Sequence, residues 1–207
     1  MAATSTPYGL KPINLIGGQS FNGGVIREIK LSTNNTNAFY TGDVIQLTSA
    51  GNPQPLTATP TTGTTAGIVG VCLGVSYVDP NLKYQVFAQY LPAGAITGGY
   101  TNVTIHVCDD PDQLYQVQGS AAFGTLTNGA AGAVGKNAAL GNFGGNTTTG
   151  LSTINLVVGA NGGSLANTAT LAMRVVDVVA ASANDSYPDL IVKFNQGAHS
   201  YLFATGV

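Results

Sequence analysis

The sequence predicts an all-β protein, an antiparallel sandwich or barrel of about nine to eleven short strands with an extended N-terminal arm. Three observations carry this prediction. Val, Ile, Leu and aromatic residues recur in short bursts, several of which alternate with polar residues at the two-residue period of a half-exposed strand. Gly, Pro, Asn and Asp separate the bursts, as turns require. No apolar pattern keeps the helical period over a convincing length.

Composition agrees and narrows the function. The chain has 207 residues, enough for one sizeable domain. Charged residues are 8% of it, against about 25% in an ordinary globular protein. Thr, Asn, Ser, Gly and Ala take their place. With 7 Lys and Arg against 9 Asp and Glu and a formal charge of −2, there is no basic footprint for nucleic acid and no steering field for an anionic membrane. Apolar residues make up 44%, too many for a disordered class. The longest apolar runs fall far short of the roughly 18 residues of a spanning helix, and no basic segment followed by an apolar one marks a secretory signal. A surface this poor in charge has little to keep its copies apart, which suits a protein packed against neighbours.

Along the chain, residues 1–24 read as an extended arm. Its one charge is Lys11, prolines 7 and 12 hold it extended, and Gly17, Gly18, Gly23 and Gly24 let it bend. A single β domain is expected over residues 25–207. VIREIKLS is its first strand, with Val25, Arg27, Ile29 and Leu31 alternating against Ile26, Glu28 and Lys30. AFYTGDVIQLTSAGNPQPLTAT reads as strand, turn and strand. GIVGVCLGVSYV is the most apolar strand. Strict alternation puts Val69, Val71, Leu73, Val75 and Tyr77 on one face and Gly70, Cys72, Gly74 and Ser76 on the other, a row of small residues that admits a neighbouring backbone. KYQVFAQYLPAG follows after the turn VDPNLK. TNVTIHVC and LYQVQ flank the breaker DDPD. Residues 120–150, rich in Ala, Gly, Asn and Thr, read as a loop or flap inserted in the domain. LSTINLVVG, TATLAMRVVDVVA and DLIVKFN complete the strands, and HSYLFATGV is apolar enough to dock.

A catalytic constellation is not found. His106 and Cys108 are two apart on a strand, which holds them about 7 Å apart, too far for direct proton transfer. Asp109, Asp110 and Asp112 in DDPD are foremost turn residues; a divalent cation site or an interfacial charge cluster are the alternatives. GAAGAVGKN misses the phosphate-loop spacing and lacks the hydroxyl that would hold Mg²⁺. The two cysteines, Cys72 and Cys108, are expected as buried thiols rather than a disulfide. The expectation is a non-enzyme without cofactor. A hydrolase would have to gather His106 or His199 with Asp109 to Asp112.

GLKPINLIGGQSFNGG, FYTGDVIQLTSAGNPQP, GVCLGVSYVDP, YLPAG and VCDDPDQLYQVQ, in this order over roughly residues 8–120, resemble the capsid decoration, or cement, proteins of tailed bacteriophages. The resemblance implies a β-rich virion protein on the outer surface of an icosahedral head, made in the host bacterial cytoplasm. It implies the major capsid protein as partner and self-association as a homotrimer, with a dimer as the alternative. No catalytic motif comes with it. On this reading the arm docks Ile13, Leu15, Ile16 and Phe21 on an adjacent subunit; the competing reading makes the same residues the protein's own first strand. A tail or fibre protein that recognises a host surface glycan is the functional alternative.

Overall fold

The structure, a computed structural model, describes residues 4–20, 26–58, 67–124, 128–195 and 199. It is all-β, with two antiparallel six-stranded sheets and two short ribbons. The first sheet runs in the spatial order β1 (Lys11–Leu15), β10 (Gln113–Gln118), β16 (Asp189–Phe194), β15 (Met173–Val178), β11 (Asn137–Gly141) and β14 (Asn155–Val157). The second runs β2 (Ile26–Lys30), β9 (Thr101–Cys108), β6 (Ile68–Val78), β4 (Val44–Leu47) and β5 (Pro53–Pro55), with β7 (Gln85–Ala88) also against β6. The ribbons pair β3 (Phe39–Tyr40) with β8 (Tyr90–Leu91) and β12 (Gly145–Asn146) with β13 (Leu151–Ser152). Of these sixteen strands among the described residues, ten have four residues or more. The others are two- or three-residue pairings.

The first sheet curls toward a barrel. Past the end of β10, the Gly119 N–H donates to Pro188 O at 2.7 Å on one side, and the Ser120 N–H donates to Leu156 O at 2.9 Å on the other. The chain leaving β10 therefore bonds to the approach of β16 and to β14, bringing the sheet's far strand back to its beginning. Tyr115, Val117, Leu140, Leu156, Met173, Leu190 and Val192 fill the interior.

β6 is the spine of the second sheet. β9 lies along one side of it, while β4 pairs with its first half and β7 with its second. Its faces depart from strict alternation. The register slips beside Val69 against β4 and beside Leu73 against β9, and each such bulge turns the following residues over. Ile68 and Val71 consequently join the core of the first sheet, while Val69, Cys72 and Val75 join a second core with Phe39, Ile45, Leu91, Ile105 and Val107. The expected face of Val69, Val71, Leu73, Val75 and Tyr77 is thus corrected: Cys72 stands with Val69 and Val75, and Val71 faces the other way. The two cysteines are free and buried, Cys72 in one core and Cys108 in the other.

The close approach expected beside the small residues of this strand is present. A Cβ on Gly70 would fall on the carbonyl oxygen of Cys108.

Two segments differ from expectation. Residues 120–150 are only partly loop, because 137–141 form β11, which pairs with β14 and β15 and buries Ala138 and Leu140. NAALG has no β-branched residue to announce a strand; pairing on both sides supplies what propensity lacks. The N-terminal segment is extended, as expected, yet it is not detached. β1 lies antiparallel on β10, with Lys11 opposite Gln116 and Pro12 opposite Tyr115.

Gly70→Ala is expected to destabilise the protein by more than about 2 kcal/mol, because the neighbour it meets is backbone and cannot rotate away. Gly17→Ala, where a Cβ would meet nothing within 4 Å, is expected to stay within about 0.5 kcal/mol of wild type. Urea unfolding of both variants measures the difference, and equal midpoints would refute the close approach.

Candidate interaction surface

The N-terminal segment was the foremost sequence candidate for a contact surface, and the structure places three of its four named residues. Ile13 and Leu15 are half-buried on β1, and Ile16 beyond it is 52% exposed. Phe21 lies outside the described residues. Its described residues are fastened to the chain's own fold at several points. The Gln118 side chain accepts the Thr6 N–H at 3.0 Å and donates to Thr4 O, and the Tyr8 hydroxyl donates to Asp189 at 2.9 Å. Leu10 is 1% exposed, within the core of the first sheet. Where the segment crosses the turn before β4, Gly9 and Gly42 meet backbone to backbone, at φ of +76° and +92°. A Cβ on Gly9 would stand 2.6 Å from Gly42 O, and one on Gly42 would stand 2.7 Å from Tyr8 O. Glycine does allow a close backbone approach in this region, but the backbone approached is the chain's own. The reading as the protein's first strand therefore holds for Lys11–Leu15, and only Ile16 among the described candidates stays open to a neighbour.

An apolar cleft of about 620 Å³ opens beside this crossing, lined by Tyr8, Leu10, Pro12, Leu73 and Leu151 together with Lys11 and Gln116. Its walls suit an apolar side chain. They bring no acid and base together.

The chemically capable groups are dispersed. Among the described residues no three His, Cys, Asp or Glu side chains gather where a metal ion could be held. Asp110 closes the DDPD turn, accepting the Asp112 N–H on its carboxylate at 2.7 Å and the Gln113 N–H on its carbonyl at 3.2 Å. Asp109 pairs with Arg27 at 2.9 Å and Asp112 with Lys193 at 2.6 Å, so these carboxylates serve different cations. His106 Nδ1 lies 3.8 Å from Glu28, and its ring stacks obliquely near Phe87. His199 is fully buried, and burial lowers its pKa against the opposing charges of Asp109 and Asp110. Burial pushes the Cys72 thiol up to about 12 and Cys108 up to about 11, so neither supplies a thiolate nucleophile at neutral pH.

Sequence reasoning missed one buried carboxyl. Asp43, in the TGD turn, is 3% exposed. Its carboxylate accepts the Tyr40 N–H at 2.8 Å, and its carbonyl accepts the Cys72 N–H at 2.8 Å. Burial pushes its pKa up to about 6, against smaller opposing effects from Ser152 and the Tyr40 backbone. A breaker tripeptide announces a turn; its burial depends on β13 and β6 closing over it.

Large apolar side chains are exposed at several separate places, among them Ile26 on β2 and Val134 before β11. Leu82 (52% exposed), Tyr84 (59%) and Phe87 (72%) lie on or just before β7, and Ile16 follows β1. β2 is an edge strand of the second sheet among the described residues, and its Ile26, Arg27, Glu28 and Lys30 are exposed. No family model matches this chain, and comparison with curated proteins and with solved structures finds no significant match.

Two predictions follow from this geometry. Leu10→Ala is expected to cost about 2 to 4 kcal/mol of stability in the isolated chain, measured by denaturant unfolding; an unchanged midpoint would mean that the segment does not pack on its own core. Asp43 binds its proton more tightly folded than unfolded, so its contribution is most favourable at low pH and is lost as pH rises from about 4 through about 6. Asp43→Asn removes that dependence. Relative to wild type the variant should gain up to about 3 kcal/mol between pH 4 and pH 7, measured by unfolding at each pH, and parallel curves would contradict the assignment.

Proposed function

We propose that this chain is a virion structural protein that decorates and reinforces the icosahedral head of a tailed bacteriophage by bridging major capsid protein subunits. The observation that carries the reading is the surface. It holds few charges, is rich in Thr, Asn and Gly, and exposes large apolar side chains at Ile16, Ile26, Leu82, Tyr84, Phe87 and Val134. Such a surface offers hydrogen-bond donors and acceptors without the desolvation cost of burying ions, which suits many small contacts repeated over a shell. The resemblance of residues 8–120 to phage decoration proteins points the same way. In this reading the chain catalyses nothing and needs no cofactor. It works on the outside of the head, among copies of itself.

A tail or fibre protein that stacks on host glycan is the second reading, and the exposure of Tyr84 and Phe87 is what favours it. Tyr84 lies in the bend that precedes β7 and Phe87 on β7 itself, where its ring packs near His106.

Near-atomic imaging of particles from the phage that encodes the chain tests both. The expected result is density for this fold on the outer head in fixed ratio to the capsid protein, together with earlier DNA release on heating in particles lacking it. Absence from the head, or density confined to the tail, overturns the proposal.

A further inference from the structure

We propose that β2 is a self-association edge, on which a second copy of this chain pairs antiparallel about a two-fold axis at Ile29, with Glu28 of each copy opposite Lys30 of the other. The proposal requires no capsid and stands on the strand alone.

Among the described residues β2 pairs on one side only, with β9. The direction of its backbone groups follows from one bond. The Leu31 N–H donates to Val103 O at 2.9 Å, and in an antiparallel ladder alternate residues bond to the same neighbour. Arg27, Ile29 and Leu31 therefore turn their N–H and C=O groups toward β9. Ile26, Glu28 and Lys30 turn theirs outward, toward a further strand.

That alternation restricts how two such edges can meet. Outward residues must oppose outward residues, so only registers two residues apart are open. Setting Glu28 opposite Glu28, or Lys30 opposite Lys30, puts like charges directly across the ladder, which is unfavourable. The register between them sets Glu28 opposite Lys30 twice, once on each side of the axis. It also places Ile29 against Ile29 as a non-hydrogen-bonded pair, the closer of the two kinds of cross-strand pair. Ile29 already packs on the core of Phe39, Ile45 and Ile105, and a second copy would cover its remaining exposed side.

Charge on an edge strand usually guards it against foreign strands. In a chain with 7 cationic and 9 acidic residues in all, placing Arg27, Glu28 and Lys30 within the five residues of β2 is a strong concentration. Arg27 is engaged with Asp109 at 2.9 Å, which leaves Glu28 and Lys30 as the opposite-sign pair on the residues whose backbone groups face the open side. Among the described residues Glu28 makes a loose contact, 3.8 Å from His106. The same charges that repel unrelated edges thus accept their own copy, as a self-complementary two-fold contact does. This contact makes pairs rather than the rings of three that the resemblance implies.

The test uses the purified full chain, sized by sedimentation over a range of concentrations. Wild type is expected to dimerise. Glu28→Lys and Lys30→Glu, each of which turns both cross-strand pairs repulsive, should each weaken the dimer roughly tenfold or more. Combining the two substitutions in one chain restores the pairing with reversed signs, so association should return to near wild type. An equimolar mixture of the two single variants should form a mixed dimer that neither forms alone, which also shows that both variants are folded. A wild type that stays monomeric, an oligomer indifferent to the single substitutions, or failure of both the double variant and the mixture to recover association would each overturn the proposal.

Discussion

Both cores depend on how β6 is shared between them. Eleven residues long, it meets β9 on one side and β4 and β7 in succession on the other. A regular strand would present one set of side chains to each face throughout. The slips beside Val69 and Leu73 instead give Ile68 and Val71 to the core of the first sheet and Val69, Cys72 and Val75 to that of the second. Gly70, at the crossover, lets the end of β9 lie directly on the strand. The turn into DDPD and then β10 begins there, so the same contact sets where the chain passes from the second sheet to the first.

A second crossing closes the other end. The N-terminal segment passes over the turn before β4 at Gly9 and Gly42, drives Leu10 into the core, and continues as the edge strand β1 on β10. The segment thereby links the first sheet to the Asp43 turn, whose carbonyl is bonded to Cys72 of β6. The described part of this segment thus contributes a core leucine to its own fold while leaving Ile16 exposed.

The scarce charges are used locally. Arg27 with Asp109 and Lys193 with Asp112 tie strand ends to the DDPD turn, while broad stretches of surface carry Thr, Asn and Gly. Exposed ion pairs of this kind contribute little to stability, about 0 to 1 kcal/mol each. What they supply is position, and what the uncharged remainder supplies is a surface that neighbouring molecules can cover at small desolvation cost.

Strand content, most strand positions and the turns were legible in the sequence, because a two-residue period and a turn residue are local properties of the chain. Alternation in TNVTIHVC holds as written, with Val103, Ile105 and Val107 all buried in one core. Alternation in GIVGVCLGVSYV fails at its bulges, since a bulge depends on the lengths of the strands beside it. NAALG was illegible as a strand for the same reason: its pairing partners, β14 and β15, are distant in sequence. Asp43 looked like any turn aspartate until β6 and β13 enclosed it, and GLKPINL was compatible with an arm or a strand until β10 offered an edge. By itself the sequence determined an all-β, charge-poor protein, through propensities and periodicities that each residue carries with it. Only the tertiary structure decided which faces are buried, which edges stay open and where backbones touch, because those depend on contacts between segments that no local pattern records.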